Sequence, residues 1–121
     1  MMQSRGVRGA ITIDSNTKED VKKSTIELLN RMISENGIDK KNISFAIFTL
    51  TSDINVDFPA KYARLECGFE KIPVMCYNEA KIEGSLEKCL RILLNINTEK
   101  SQDEIKHIYL KGAKILREDI V

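Results

Sequence analysis

The chain has 121 residues, 42% of them apolar and 31% charged, which suits one domain around one core and excludes both a multidomain machine and a disordered polymer. Nineteen Lys and Arg stand against eighteen Asp and Glu, and a net charge of +1 offers no global field for gathering nucleic acid or an anionic membrane surface. Cys67, Cys76 and Cys89 lack CxxC spacing and His107 is the only histidine, so a disulfide frame, a zinc centre and a Cys/His or Ser/His/Asp nucleophile are all unsupported.

The opening MMQSRGVRGAITID has no signal-peptide core, and no stretch approaches the roughly 18 apolar residues that cross a bilayer. A cytoplasmic location is expected. Gly6 to Ile13 reads as a strand, with Val7, Ile11 and Ile13 on one face and Arg8, Ala10 and Thr12 on the other. Thr17 and Asp20 signal a helix start. Val21, Thr25, Leu28, Leu29, Met32 and Ile33 then recur at helical spacing to about Asn36, where Gly37 supplies a left-handed end. Asp39 to Asn42 is a polar turn, and the Ile- and Phe-rich run Ile43 to Leu50 is a buried strand.

After the loop 51–57, Pro59 opens a short helix that Gly68 closes, and Ile72 to Tyr77 forms a third strand. Gly84 and Ser85 mark a bend. From Cys89 to Ile96 the residues Leu90, Ile92, Leu94 and Ile96 alternate with a face holding Arg91 and Asn95, which predicts a fourth strand. Ser101 and Glu104 form a capping box, and His107–Leu110 with Ala113–Leu116 is expected to close the domain as one bent strand or two short ones. The order predicts an α/β or α+β domain, a mixed sheet carrying one long and one short helix. So little helix leaves part of the sheet bare, and a homo-oligomer is the expected remedy.

Arg91 sits within an apolar alternating run, where a guanidinium needs a partner or a ligand unless that face is simply solvated. Arg8 lies between Gly6 and Gly9, small residues that admit a backbone or a ligand, although a protective charge on an edge strand would look the same. Lys61 and Arg64 share one side of the short helix and suit an anion or plain solvent. Glu79 follows the third strand, a usual place for functional groups, while Cys76 and His107 have no sequence signal of activation. These residues describe a small-molecule anion site, fit for a dicarboxylate and able to catalyse only by positioning and electrostatics.

In order and spacing, the strings RGVRGA, FPAKYAR, PVMCYNE, KCLRILLNIN and HIYLKGAKILR resemble the AroH class of chorismate mutase over nearly the whole chain. The resemblance implies a homotrimer with a barrel-like core of sheets and active sites at the subunit interfaces. It also implies conversion of chorismate to prephenate without a cofactor, in phenylalanine and tyrosine biosynthesis. Carried over, Arg91 is the arginine at the ether oxygen, Arg8 binds a substrate carboxylate and Tyr109 assists it. Glu79 and Cys76 hydrogen-bond the ring hydroxyl. Phe58, Ala60, Lys61, Arg64 and Val74 form the pocket wall and entrance, partly from the neighbouring subunit, and Leu116 and Arg117 close over the ligand. Met75 stands where the family has a hydroxyl residue, which leaves a backbone contact there. A non-catalytic oligomeric sensor of a small carboxylate would use the same arginines. A small trimeric imine hydrolase, whose motifs are not visible, ranks below both.

Overall fold

The computed structural model describes residues 1–116 in full and the backbone of 117–120. Five strands form one sheet: β1 (Gln3–Thr12), β2 (Ile43–Leu50), β3 (Val74–Asn78), β4 (Cys89–Thr98) and β5 (Ile108–Leu110). Their spatial order is β3-β2-β4-β1-β5, with β4 antiparallel to both neighbours and the outer pairs β2–β3 and β1–β5 parallel. The mixed sheet agrees with the fold class read from the sequence.

Helix α1 (Lys18–Asn36) begins where the Thr17 side chain accepts the Asp20 N–H and ends at Gly37, whose φ of 58° is the left-handed conformation glycine adopts freely. Helix α2 (Pro59–Glu66) is the crossover between β2 and β3. Both helices cover one face of the sheet. Leu28, Leu29 and Met32 of α1 and Ala63 of α2 join Val7, Ile11, Phe48, Ile92 and Leu94 in the core, each of these at most 2% exposed. Burying each large side chain contributes roughly 1.5–3 kcal/mol. Gly9 makes the close approach possible, because a Cβ there would run into Met32 Sδ and stand 3.1 Å from Leu28 Cδ1. What approaches that glycine is therefore a helix.

Two expectations change. The strand Ile43–Leu50 is buried on one face only: Phe45 is 39% exposed, as is Leu93 of β4, and both lie on the face without helices. The segment 113–116 is not a strand. The chain leaves the sheet at Lys111, in a left-handed conformation of φ 52°, and continues as a 3-10 helix, Lys111–Ile120. There the Gly112 N–H donates to Thr12 Oγ1 at 3.0 Å. At three residues per turn Ala113 and Leu116 fall on one side, against Ala10 and Cys89, while Ile115 is left exposed. Alternation mistook a threefold repeat for a twofold one.

The return of the chain to β5 depends on Asn36, buried at the end of α1. Its Nδ2 donates to the carbonyls of Met32 and Lys106, and its Oδ1 accepts the Lys106 N–H at 2.7 Å. Lys100 Nζ donates to the Asn36 carbonyl at 2.7 Å, a cation at the helix C-terminus. This junction fixes where β5 meets β1.

Candidate active site

Strand register decides which side chains meet. On the open face one row runs Tyr77, Thr49, Arg91, Ala10, Tyr109 across β3, β2, β4, β1 and β5, and the next runs Met75, Ile47, Leu93, Arg8. A cleft of about 250 Å³ lies over these rows, lined by Arg8, Ile47, Thr49, Arg91, Leu93 and Tyr109 together with backbone of β1 and β4. Ala10 lets Arg91 and Tyr109 flank a shallow floor. Strand alternation puts the arginines opposite the core, so they need not be buried to be held.

Arg91 is 32% exposed, with Nε 3.2 Å from Glu79 Oε2. That is an ion pair by distance, yet the N–H is not aimed at the carboxylate, and the buried Nε makes no hydrogen bond. Glu79 is oriented from another side, by Thr49 Oγ1, which donates to Oε2 at 2.5 Å. Its own N–H donates to the Leu50 carbonyl at 2.8 Å. The carboxylate is thus fixed to β2, leaving the guanidinium of Arg91 turned along the cleft. Beneath them, burial raises the Cys89 thiol pKa, offset in part by the charge of Arg91. Neutral Cys89 packs as an apolar group.

Arg8 projects from β1 at the rim, its backbone N–H donating to His107 Nδ1 at 3.0 Å. His107 therefore serves the β1–β5 edge, where Gln102 pairs with Gly6 in the same manner through Oε1 and Nε2. These side chains extend the parallel pairing below Ile108 and steady the strand that carries Tyr109. Leu116 is half-buried against the Ala10 and Cys89 cluster beside Tyr109. The Arg117 side chain lies outside the described residues.

The remaining expected site residues do not line this cleft. Phe58, Ala60, Lys61 and Arg64 are on or beside α2, and Val74, Met75 and Cys76 are on the edge strand β3. Val74 and Cys76 turn toward the core side, whereas Met75 faces the open side at 55% exposure. Burial pushes the Cys76 thiol up, opposed by a hydrogen bond from the Ala60 backbone, which links β3 to the start of α2. Phe58 is 67% exposed and Arg64 is also exposed. The Lys61 Nζ lies 3.3 Å from Asp57 Oδ2, which also accepts from the Tyr62 hydroxyl at 2.5 Å. The hydroxyl of Tyr62, the Phe58 N–H and Lys61 hold Asp57 at a pKa of about 2, and the same bond raises Tyr62 to about 12.

Sequence reading missed Thr49, Ile47 and Leu93. Their signal was the second face of runs taken as buried, and only the register places Thr49 beside Arg91. Among the described residues no cluster of His, Cys, Asp and Glu could hold a metal ion.

Two guanidinium groups, one fixed carboxylate, a tyrosine and apolar walls over a mixed sheet define a small α+β protein built to hold a compact anion. A family model for chorismate mutase type I matches residues 4–120, and the chain belongs to that family. It is 35% identical to chorismate mutase AroH of Bacillus subtilis, over 98% of this chain and 94% of that one. It is 39% identical to chorismate mutase AroH of Thermus thermophilus, over 96% and 95%. A solved chorismate mutase from Clostridium thermocellum superposes with a TM-score of 0.88 at 42% identity, over 91% of this chain and 97% of its own.

Proposed function

We propose that this chain converts chorismate to prephenate, the committed rearrangement toward phenylalanine and tyrosine, by holding the substrate in a compact chair and stabilising the charge that forms on its ether oxygen. The ether C–O bond breaks as a C–C bond forms within one molecule. No proton or group is exchanged with the protein, which is why a cleft without nucleophile or base suffices.

Two contributions remain for the protein. Restricting a flexible dianion to its reactive conformer lowers the entropic part of the barrier, the role of Arg8 and Tyr109 at a carboxylate and of the apolar walls around the ring. Placing a fixed cation at the ether oxygen lowers the electrostatic part, the role of Arg91. The observation that carries this reading is the Arg91 side chain, steadied by a carboxylate 3.2 Å away but not consumed by it. Glu79 and Cys76 take the ring hydroxyl, and Met75 contributes through its backbone.

The cleft is open on one side in a single chain, and the exposed apolar residues Phe45, Met75, Tyr77 and Leu93 surround it. In our reading three copies pack these faces together as a homotrimer. The group Phe58, Ala60, Lys61, Arg64, Val74 and Cys76 of one protomer then walls the cleft of the next, and Leu116 and Arg117 close it. A cytoplasmic location goes with this reading; no helix among the described residues is long and apolar enough to cross a membrane.

Chorismate absorbs in the near ultraviolet and prephenate does not. Protein-dependent loss of that absorbance is the expected result, and binding without loss would instead identify a carboxylate sensor.

A further inference from the structure

The Glu79–Arg91 pair flanks one connection, the loop 79–88 between β3 and β4, whose two ends are tied to the last residue of β2 and to the turn that follows it. At the first end, the Leu50 carbonyl accepts the Glu79 N–H. At the second, Asp53 accepts the Lys88 N–H with both carboxylate oxygens, at 3.1 and 2.9 Å. Thr51 completes the joint. Its Oγ1 donates to Asp53 Oδ1 at 2.5 Å and accepts the Cys89 N–H at 3.0 Å, while its own N–H donates to the Cys89 carbonyl at 3.1 Å.

The geometry at Lys88 calls for such a clamp. Its φ of 46° is left-handed, a conformation that strains a residue with a Cβ. It occurs at the last residue before β4, where a change in backbone direction would re-aim every side chain that follows. The Lys88 carbonyl is also fixed, accepting the Ile13 N–H at 2.9 Å. The peptide groups on either side of this strained residue are therefore held from opposite directions, and Arg91 is the next cleft-facing residue after Cys89 on the strand so launched. Burial by itself would raise the Asp53 pKa, but the bonds from Thr51 and the Lys88 backbone outweigh it and hold the carboxyl below its ordinary value.

We infer that Asp53, remote from the substrate, is a positioning residue for the rearrangement: by gripping the left-handed Lys88 backbone it sets the direction in which Arg91 enters the cleft beside Glu79. This deepens the reading above and rests on it. The charge of the Lys88 side chain adds only the weakest of the pulls on Asp53, so an acceptor oxygen at position 53 is what the role requires.

The test is steady-state kinetics on chorismate with the full chain. Because misplacement of a catalytic group by an ångström or less is felt mainly in the transition state, Asp53→Ala should lower kcat about tenfold and change KM by less than about threefold. Asp53→Asn keeps an acceptor and should retain at least about half of kcat, and Lys88→Ala should match the wild type. Adding Lys88→Gly to Asp53→Ala removes the strain that the clamp opposes and should restore most of the loss.

A folded Asp53→Ala with wild-type kcat, or one whose defect lies in KM alone, overturns the positioning role. So does an Asp53→Asn as impaired as Asp53→Ala. If Asp53→Ala does not fold, Thr51→Val takes its place, since it removes the hydroxyl that steers the carboxylate without changing size; unchanged kcat there overturns the role equally. A wild-type chain that leaves chorismate intact defeats the reaction itself, whereas an active wild type with an active Asp53→Ala defeats only this assignment.

Discussion

On the helix side of the sheet Val7, Phe48, Ile92 and Leu94 are almost completely excluded from solvent; one residue along the same strands, Arg8, Ile47, Arg91 and Leu93 face a cleft. Neighbours in sequence thus answer to different demands, stability on one side and electrostatics on the other. The division is clean because a strand's alternation is rigid: nothing that tunes Arg91 has to disturb Ile92. It also predicts that the two faces fail in different ways when altered.

The largest separation is expected from Arg91→Ala. Loss of the cation at the ether oxygen should cost roughly 3 kcal/mol or more of transition-state stabilisation, at least about a hundredfold in kcat. Its melting temperature should stay near that of the wild type. Arg91→Lys should recover little, because an ammonium does not reproduce the planar fork beside Glu79. A melting temperature that falls with the activity would erase the distinction between the faces.

Leu28→Ala tests the other side. It leaves a hole beneath the sheet, and denaturant titration should report a loss of about 2–5 kcal/mol, with turnover of the folded fraction little changed. Gly9→Ala, at the closest helix–strand approach, should cost about 1–3 kcal/mol by overpacking against Met32 and Leu28. Because Arg8 and Ala10 flank that position, its effect on KM measures how far strain crosses the sheet.

The smallest effects are in pH. Asp57 has a folded pKa of about 2 against an ordinary 3.8, so its contribution to stability is complete above pH 4 and lost as pH falls through 2. Asp57→Asn should flatten that acid limb in a chemical-denaturation series. Turnover should remain nearly level across roughly pH 6–8, because the rearrangement exchanges no proton with the protein. A steep limb traced to His107 would mean that its bond to the Arg8 backbone controls the cleft.

The sequence made legible whatever depends on local order. Thr17 and Gly37 bracket α1, Pro59 opens α2, and the alternation from Leu90 to Ile96 placed Arg91 on the face away from the core. Arg8, Glu79 and Tyr109 were likewise readable, through the resemblance. Thr49 and Asp53 were not, since each acts through a hydrogen bond to a residue about thirty or more positions away, and periodicity carries no record of such pairs. The 3-10 end escaped for a different reason: Ala113, Ile115 and Leu116 are compatible with either repeat over so short a run, and the left-handed Lys111 that decides it has no side-chain signature.

The parallel pairing of β1 with β5 joins Ala10 to Tyr109, so the cleft is bounded by partners about a hundred residues apart in sequence. On a ribosome, Arg8 emerges about a hundred residues ahead of Tyr109 and must wait for that intervening stretch before this neighbour arrives. Helix α1 can settle on β1 beforehand, and α2 and β3 on β2, since those contacts lie nearer along the chain, whereas β4 reaches β1 only shortly before β5 does. Competence to bind is therefore acquired late, when folding of the scaffold is largely over, and an incompletely translated product would display the arginines without the enclosure that makes them selective.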